Sequence, residues 1–388
     1  MGSDHDNRLR QSFAVKLSLP VRSVNVLFTK WLRNPLLSLG AAISLRSVKV
    51  SLADVAREVG VHPGTASKAL NPATRSRVSA PTARRVLAAA ERLGYHPNTL
   101  ARGLRTRQSY SIGLIIPDLT NPLFPPIARG VEEVLGNAAY TLLVVNTDND
   151  ARRQDRQIAA LRARQCDGFI VATAHREDPF VEQAAEQRLP MVLVNRVTDA
   201  RLVPAVAGDE TQAVTEAVDH LARLGHRRIA HVAGPQELST GFGRYRAFVD
   251  AIGRNQLATA DCPVAFAGAY AEHAGVAAMR DLLDRPVHAT AVVAGNDLLA
   301  LGCLDALGER GLRCPQDVSV VGFNDMPMMS RTSPPMTTIH LPKREIGVEA
   351  ARLLLDRIAD PSTLDTRRLL LQCKLVVRGS TTAPPQAT

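Results

Sequence analysis

The chain is poor in the residues that would announce a scaffold or a metal. Its five cysteines, Cys166, Cys262, Cys303, Cys314 and Cys373, are odd in number and form no C-x-x-C pair. A disulfide framework or a zinc knuckle is therefore not indicated. No stretch reaches the roughly 18 uncharged apolar residues that a membrane-spanning helix needs. A P-loop and an H-E-x-x-H pair are both missing, and Gly241-x-Gly243 lacks the third glycine of a dinucleotide fingerprint. His220, His226 and His231 are spaced so that one helix face cannot hold them all, which argues against a metal site there. A Ser-His-Asp triad is recognised by geometry rather than by order in the chain, and nothing points to one. The reading is a cytosolic protein that is not an enzyme and carries no cofactor, metal or membrane anchor.

What is present is a long, ordinary globular composition with lopsided charge. At 388 residues the prior is two or three domains, and 45% hydrophobic against 22% charged residues is enough to bury real cores. Residues 1–108 hold 18 Lys and Arg against 5 Asp and Glu, whereas residues 109–388 hold 29 against 32. The basic excess therefore sits at the front. That asymmetry fits a nucleic-acid-binding head on a near-neutral body, because Lys and Arg that neutralise phosphates release counterions and drive binding. A merely solvated basic surface is the alternative.

Residues 1–47 show no clear period; the apolar patch Leu36 to Ile43 resembles a short signal-peptide core, but the segment after it reads as a DNA reader. Residues 1–47 are taken as a disordered extension or as lying upstream of the true start. From Val48 to Arg107 helix signals are dense. Ser51 and Asp54 form a capping box ahead of Leu52, Val55, Ala56 and Val59 at helical spacing, and Gly60 closes that helix. A second helix should start at His62-Pro63 and stop at Asn71-Pro72. A third, capped by Ser79, turns Val86, Ala89, Ala90 and Leu93 inward and ends at Gly94. Three short helices with a glycine in the first turn make a helix-turn-helix. The stretch from His96 to Leu104 is a further turn or two of helix, with Asn98 as its cap, too short to be stable alone.

Beyond Ile112 apolar runs alternate with amphipathic helices: 112–116, 141–145, 169–172, 191–194, 229–233, 291–294 and 318–321. That rhythm predicts parallel sheets covered on both faces, and some 270 residues of it suggest two sheets with a cleft between them. The fold class expected is a small all-α helix-turn-helix head plus an α/β body of two subdomains.

Several blocks carry a specific resemblance. They are the run from Val50 to Val61, Thr65 to Asn71, Leu93 to Asn98, Ile115 to Phe124, Asn296-Asp297 with Ala300 to Gly302, and Val320 to Asp325. In order and spacing these resemble the LacI/GalR family of transcriptional repressors, from about Val50 to Ser380. The resemblance implies a homodimer on a pseudo-palindromic operator, with a recognition helix in each major groove and two hinge helices in the central minor groove. It implies a body like that of periplasmic sugar-binding proteins, two subdomains joined by three crossing strands around a small ligand. The boundaries that follow are 48–95 for the DNA-binding domain, 96–110 for the hinge and 111–380 for the effector and dimerisation domain. Within that domain the first subdomain takes 111–208 plus 325–339 and the second 209–324 plus 340–380, with 381–388 as a tail. The tail has no heptad, so a dimer without a tetramerising zipper is expected.

Carried over by position, Pro63, Gly64 and Lys68 fall where the family reads base edges, and Leu104 falls on its intercalating leucine. Lys68 can donate to guanine, whereas Pro63 and Gly64 have no side-chain donor or acceptor, so Lys68 should carry most of the hydrogen-bonded specificity. His62, Thr65 and Ser67 are expected to contact phosphate or cap the helix. Arg75, Arg77, Arg84 and Arg102 are candidate backbone contacts, the alternative for each being an exposed surface charge. The ligand positions implied are Asp118, Asn121, Phe124, Asn195, Arg196, Arg244, Asn296 and Asn324. The family more often has Asp at the positions of Asn195 and Asn324, so the cleft should be more positive than a neutral-sugar pocket and the effector should carry a carboxylate or phosphate. Pairing of Arg196 or Arg244 with a carboxylate such as Asp118 or Asp297 is the alternative.

Overall fold

A computed structural model describes residues 50–71, 74–95, 108–362 and 365–386. The chain divides into two compact units, Met1–Pro97 and Asn98–Thr388. The extension to residue 49, Pro72, and the segment 96–107, with Asn98, Arg102 and Leu104 of the expected hinge, lie outside the described residues.

In the first unit, α1 spans Leu52–Val59, α2 spans Pro63–Leu70 and α3 spans Ala80–Arg92. Ser51 and Asp54 complete the capping box, the Ser51 Oγ accepting from the Asp54 N–H at 3.3 Å and the Asp54 carboxylate from the Ser51 N–H at 2.9 Å. Gly60 sits at φ +70°, the left-handed conformation that ends α1. His62 caps α2 with its ring, Nδ1 accepting from the Gly64 N–H at 3.1 Å. Ser79 precedes α3, but its hydroxyl bonds the Thr82 hydroxyl rather than a backbone N–H. Val55, Ala56, Val59, Ala66, Ala69, Ala83, Val86, Ala89 and Ala90 form one core, with Leu70 and Leu93 packed at its margin. Small alanines on α2 and α3 let three short helices approach closely enough to close such a core.

The second unit holds two six-stranded sheets. In the first lobe the strands are β1 (Ser111–Ile116), β2 (Thr141–Asn146), β3 (Gly168–Val171), β4 (Met191–Val194), β5 (Ala205–Gly208) and β11 (Arg368–Leu371), ordered β11-β5-β4-β3-β1-β2 and all parallel. The second lobe has β6 (Ile229–Ala233), β7 (Val264–Phe266), β8 (Ala291–Ala294), β9 (Ser319–Asn324), β10 (Thr337–His340) and β12 (Lys374–Val376), ordered β12-β10-β9-β8-β6-β7. Only β12 runs antiparallel to its neighbour among these pairs. Strand alternation serves both faces of the first sheet. Ile112, Leu114 and Ile116 pack under α4 (Phe124–Asn137) and α11 (Lys343–Ala359), whereas Ile115, Phe169 and Val171 pack under α5 (Ala151–Ala163) and α6 (Pro179–Glu186). The second sheet is covered likewise by α7 (Glu210–Arg223) and α8 (Ser239–Arg254) on one face and α9 (Glu272–Leu283) and α10 (Asp297–Glu309) on the other.

The chain crosses between lobes three times: from β5 to α7, from β10 to α11 and from β11 to β12. These crossings pack against one another. A Cβ on Gly208 would stand 2.4 Å from Leu341 Cδ1 and 2.8 Å from Cys373 Sγ, one atom from each of the other two crossings. The Asp209 N–H also donates to the Leu371 carbonyl at 2.8 Å. Their places correct the expected division of the body. Residues 325–339 do not return to the first lobe, because β10 pairs with β9 in the second sheet. Much of 340–380 does not stay in the second, because α11 packs on α4 and β11 pairs with β5. The fit of α11 on α4 requires glycine at both contacts: a Cβ on Gly130 would meet the Arg344 carbonyl oxygen at 2.0 Å, and one on Gly347 the Ile127 oxygen at 2.0 Å.

Candidate functional site

On the first unit, α2 turns Ala66 and Ala69 inward and presents Pro63, Gly64 and Lys68 to solvent, with Thr65 and Ser67 half-buried at the edge of that exposed face. Glycine and proline at its start leave the helix N-terminus unobstructed, and Lys68 one turn on is a long, exposed donor. Arg77 and Arg84 are exposed. Arg75 is committed otherwise, its Nε donating to the Ala69 carbonyl at 3.0 Å and so holding the end of α2. Arg85 is a further structural arginine, Nη2 donating to the Val59 carbonyl at 2.7 Å and tying α3 to the end of α1.

In the second unit the strands of both lobes end at a cavity of about 360 Å³. All eight positions named from the resemblance line it. Asp118 and Asn121 follow β1, Phe124 opens α4, Asn195 and Arg196 follow β4, Asn296 follows β8, Asn324 ends β9, and Arg244 projects from α8. Asn195 and Asn324 take positive φ, +64° and +113°, which asparagine tolerates better than most side chains. Among the lining residues not foreseen are five polar ones: Asn149 after β2, His175 after β3, Glu237 after β6, Thr240 in the first turn of α8, and Tyr270 after β7. Their common signal is position, since carboxyl ends of parallel strands are where open α/β sheets present ligand crevices.

The polar groups differ in how far they are already engaged. Asn296 caps α10, its Oδ1 accepting from the Leu299 N–H at 2.9 Å, and Asn121 Oδ1 accepts from the Leu123 N–H at 3.0 Å. Both amides keep an NH₂ to offer. Asp118 accepts from the Thr120 N–H at 2.8 Å and hydroxyl at 2.7 Å. Asn324 Oδ1 is buried with no partner among the described residues. Tyr270 donates to the Thr240 hydroxyl at 3.1 Å.

Arg244 is spoken for. Its Nε and Nη2 donate to Glu210 Oε1 at 2.9 and 2.6 Å, its Nη1 donates to the Gly295 carbonyl, and the guanidinium lies 3.7 Å from the centre of the Phe323 ring. Burial pushes the Glu210 carboxyl up to about 6, and Arg244 opposes that rise, so the pair is ionised at neutral pH. The partner is thus neither Asp118 nor Asp297. Among the described residues that line the cavity, Arg196 is an arginine without an ion pair. It is buried, and Nη1 reaches only Asn149 Oδ1 at 3.5 Å. Burial lowers its guanidinium to about 10, against the pull of Tyr270 and Glu237, and leaves it charged. With Asp118 and Glu237 also lining it, the cavity is not the positive pocket that the amides at 195 and 324 suggested.

The histidines that looked clustered serve structure instead. His226 contacts the Thr290 hydroxyl at 2.9 Å and the Thr382 carbonyl at 2.8 Å, His220 the Thr381 hydroxyl at 3.1 Å, and His231 the Val293 carbonyl at 2.7 Å. The start of the tail is thereby tied to the second lobe.

Comparison with known proteins now bears on this arrangement. Residues 51–98 match the lacI family of bacterial regulatory proteins, and residues 218–381 match the periplasmic binding protein-like domain. The HTH-type transcriptional repressor CytR of Escherichia coli (strain K12) is 35% identical over 338 residues, 86% of this chain and 97% of that protein. The chain belongs to the lacI family. It is therefore one of a family of transcriptional regulators rather than enzymes. Among solved structures, a lac repressor dimer bound to operator and the anti-inducer ONPF superposes with a TM-score of 0.76 at 28% identity, over 86% of this chain and 99% of the other. A LacI family transcriptional regulator from Enterococcus faecium with bound ribose superposes at 0.62 with 30% identity, over 70% and 99% of the two chains. No described helix is long and apolar enough to cross a membrane.

Proposed function

We propose that this lacI-family protein is a cytoplasmic homodimeric repressor that grips a pseudo-palindromic DNA operator through α2 and releases or tightens that grip when a small polyhydroxylated metabolite fills the interlobe cavity. The observation that carries the reading is the convergence of hydrogen-bonding side chains from eight strand ends on one cavity of ligand size. Two-fold protein symmetry calls for matching half-sites. On α2, Lys68 is the base-reading donor, His62 orders the first turn, and Thr65, Ser67, Arg77 and Arg84 contact phosphate. Asn98, Arg102 and Leu104 belong to the proposed hinge.

The cavity chemistry favours a neutral sugar or a close relative over an anion. Two carboxylates, Asp118 and Glu237, and the Asn324 carbonyl oxygen are acceptors, which a ligand's hydroxyl hydrogens satisfy and a carboxylate or phosphate cannot. Arg196 remains to bridge two ligand oxygens, and Phe124 offers an apolar surface for a ring face.

Footprinting of the full chain, with and without metabolite pools, should show a discrete palindrome whose protection responds to a small molecule. Calorimetry with a panel of neutral sugars, sugar acids and sugar phosphates should then find binding among the neutral members that Arg196→Met abolishes. Tight binding of an acid or phosphate alone would reverse the assignment of charge. Indifference to every DNA fragment at moderate salt would remove the regulatory reading altogether.

A further inference from the structure

The two lobes touch at a second place besides the three crossings, at one rim of the cavity. The Arg176 N–H, between β3 and α6 in the first lobe, donates to the Glu237 carbonyl of the second lobe at 3.0 Å. The Val197 N–H, just past β4, donates to Ser239 Oγ at the start of α8 at 2.9 Å. The Arg176 guanidinium lies 3.7 Å from the centre of the Phe242 ring, one turn further along α8. Asp199 positions that guanidinium, accepting from its Nε and Nη2 at 3.1 and 2.7 Å, and the Asp199 N–H donates back to the Arg176 carbonyl at 2.8 Å. Two backbone amides and a stacked cation thus bond from one lobe to the other.

These contacts use no cavity-facing side chain, yet each is a chain neighbour of one. Arg176 follows His175, Val197 follows Arg196, and Glu237 contributes its backbone here while itself lining the cavity. Closing this rim brings those three side chains toward the same enclosed volume. A first-lobe loop and a second-lobe helix that bond to each other bias the open–closed equilibrium toward closure, and apparent affinity scales with the closed fraction.

We propose that Arg176, Ser239 and Phe242 form a latch that favours the closed cleft, and so act as positioning residues that set effector affinity without touching the effector. The consequence for affinity rests on the effector reading above, but the latch itself is tested with neither effector nor DNA, so the two can fail separately.

Hydrogen–deuterium exchange on the full chain, with no ligand added, reads the latch directly. In the wild type the Arg176 and Val197 amides should exchange slowly. Phe242→Ala removes the Arg176 stack and the more distant Arg246 contact, neither of which touches the Val197 amide, yet it should speed exchange of that amide about two- to fivefold, the scale of one partly exposed cation–π contact. Ser239→Ala removes the acceptor for Val197 and should in turn speed the Arg176 amide. Exchange across β6 should stay at its wild-type rate in both. If Phe242→Ala also loosens β6, Arg176→Gln, at a half-exposed site, takes its place with the same expectation for Val197. Unprotected wild-type amides, or variants that each affect only their own contact, would overturn the latch.

Discussion

Asp297 offers a pH test of how the second lobe is wired. It opens α10 beside the cavity residue Asn296 and is fully buried. Its Oδ1 accepts from the Thr338 hydroxyl of β10 at 2.5 Å, and its Oδ2 accepts from the Met326 N–H at 2.8 Å. The charged groups that face it are Asp325, which disfavours its ionisation, and Lys343, which favours it. Burial dominates and pushes the carboxyl from 3.8 to about 7. A carboxyl raised in the folded state stabilises the fold relative to the unfolded chain most below pH 3.8, and that contribution is lost as pH rises through about 7. At about 1.4 kcal/mol per pK unit, the penalty for ionising Asp297 should grow by about 2–3 kcal/mol between pH 5 and pH 8 and then level off. Asp297→Asn mimics the protonated form: the amide NH₂ donates to the Thr338 oxygen while the amide oxygen still accepts from Met326. Urea unfolding followed by circular dichroism at a series of pH values isolates the effect, the one tryptophan, Trp31, lying outside the described residues. The stability difference between variant and wild type should move in favour of the variant by that amount from pH 5 to pH 8. A difference that is flat with pH, or that moves the other way, would refute the assignment of the buried charge.

Three further outcomes follow from contacts already described. Gly208→Ala drives a methyl into Leu341 and Cys373 at the packed crossings and should cost about 1–3 kcal/mol, a thermal midpoint lower by several degrees in a circular dichroism melt. Arg244→Met strands the buried Glu210 carboxylate and should cost about 3–5 kcal/mol at pH 8. The loss should be smaller at pH 5, because without the Arg244 charge that lowers it the buried Glu210 carboxyl rises further and takes up a proton. Lys68→Ala should weaken operator binding by about 1–3 kcal/mol and relax the preference at one base pair, whereas Arg77→Ala should weaken all sequences alike and reduce the salt slope by about one, both read by fluorescence anisotropy across a salt series.

The elements that could be read from the chain are those whose local signal and tertiary role coincide. Ser51, Gly60, His62 and Pro63 mark helix ends by chemistry that acts within a few residues. Strands β1, β3, β4, β6, β8 and β9 are apolar runs because both faces of their sheets are covered. Five strands escaped detection: β5 is a four-residue run of small residues ending in glycine, and the other four have their own reasons. At three residues, β7 is short and lies at a sheet edge, as do β11 and β12, where one side faces solvent and polar residues are tolerated. β10 is interior but carries two buried threonines, whose hydroxyls are satisfied by Asp297 and by the Arg378 N–H, partners far away in sequence. The misplaced subdomain segments have the same origin: which sheet receives β10 and β11 is decided by pairing, not by composition. For the cavity, eight positions were legible through family motifs, while Asn149, His175, Glu237 and Tyr270 sit on loops, and Thr240 in the first turn of α8, whose convergence depends on strand order. That Arg244 is neutralised was hidden because Glu210 lies 34 residues away.

The same two strand ends serve the cavity and the crossings, and this couples occupancy to lobe movement. Asn296 lines the cavity, and its neighbour Asp297 reaches Thr338 on β10, the strand that leads into the second crossing. Asn324 lines the cavity, and its neighbour Asp325 accepts from Arg378 at 2.7 Å and pairs with His340, the last residue of β10, at 3.0 Å. Lys343, the first residue of α11 beyond that crossing, donates to the backbone carbonyls of Asn324 and Asp325. A ligand that pulls on either asparagine by a fraction of an ångström therefore moves an acidic neighbour bonded to the crossing strand, and through Lys343 the helix that packs on α4 in the other lobe. Gly208 packs against Leu341 and Cys373 of the other two crossings, so under the proposed effector reading a shift at one crossing is expected to appear as rotation of one lobe against the other.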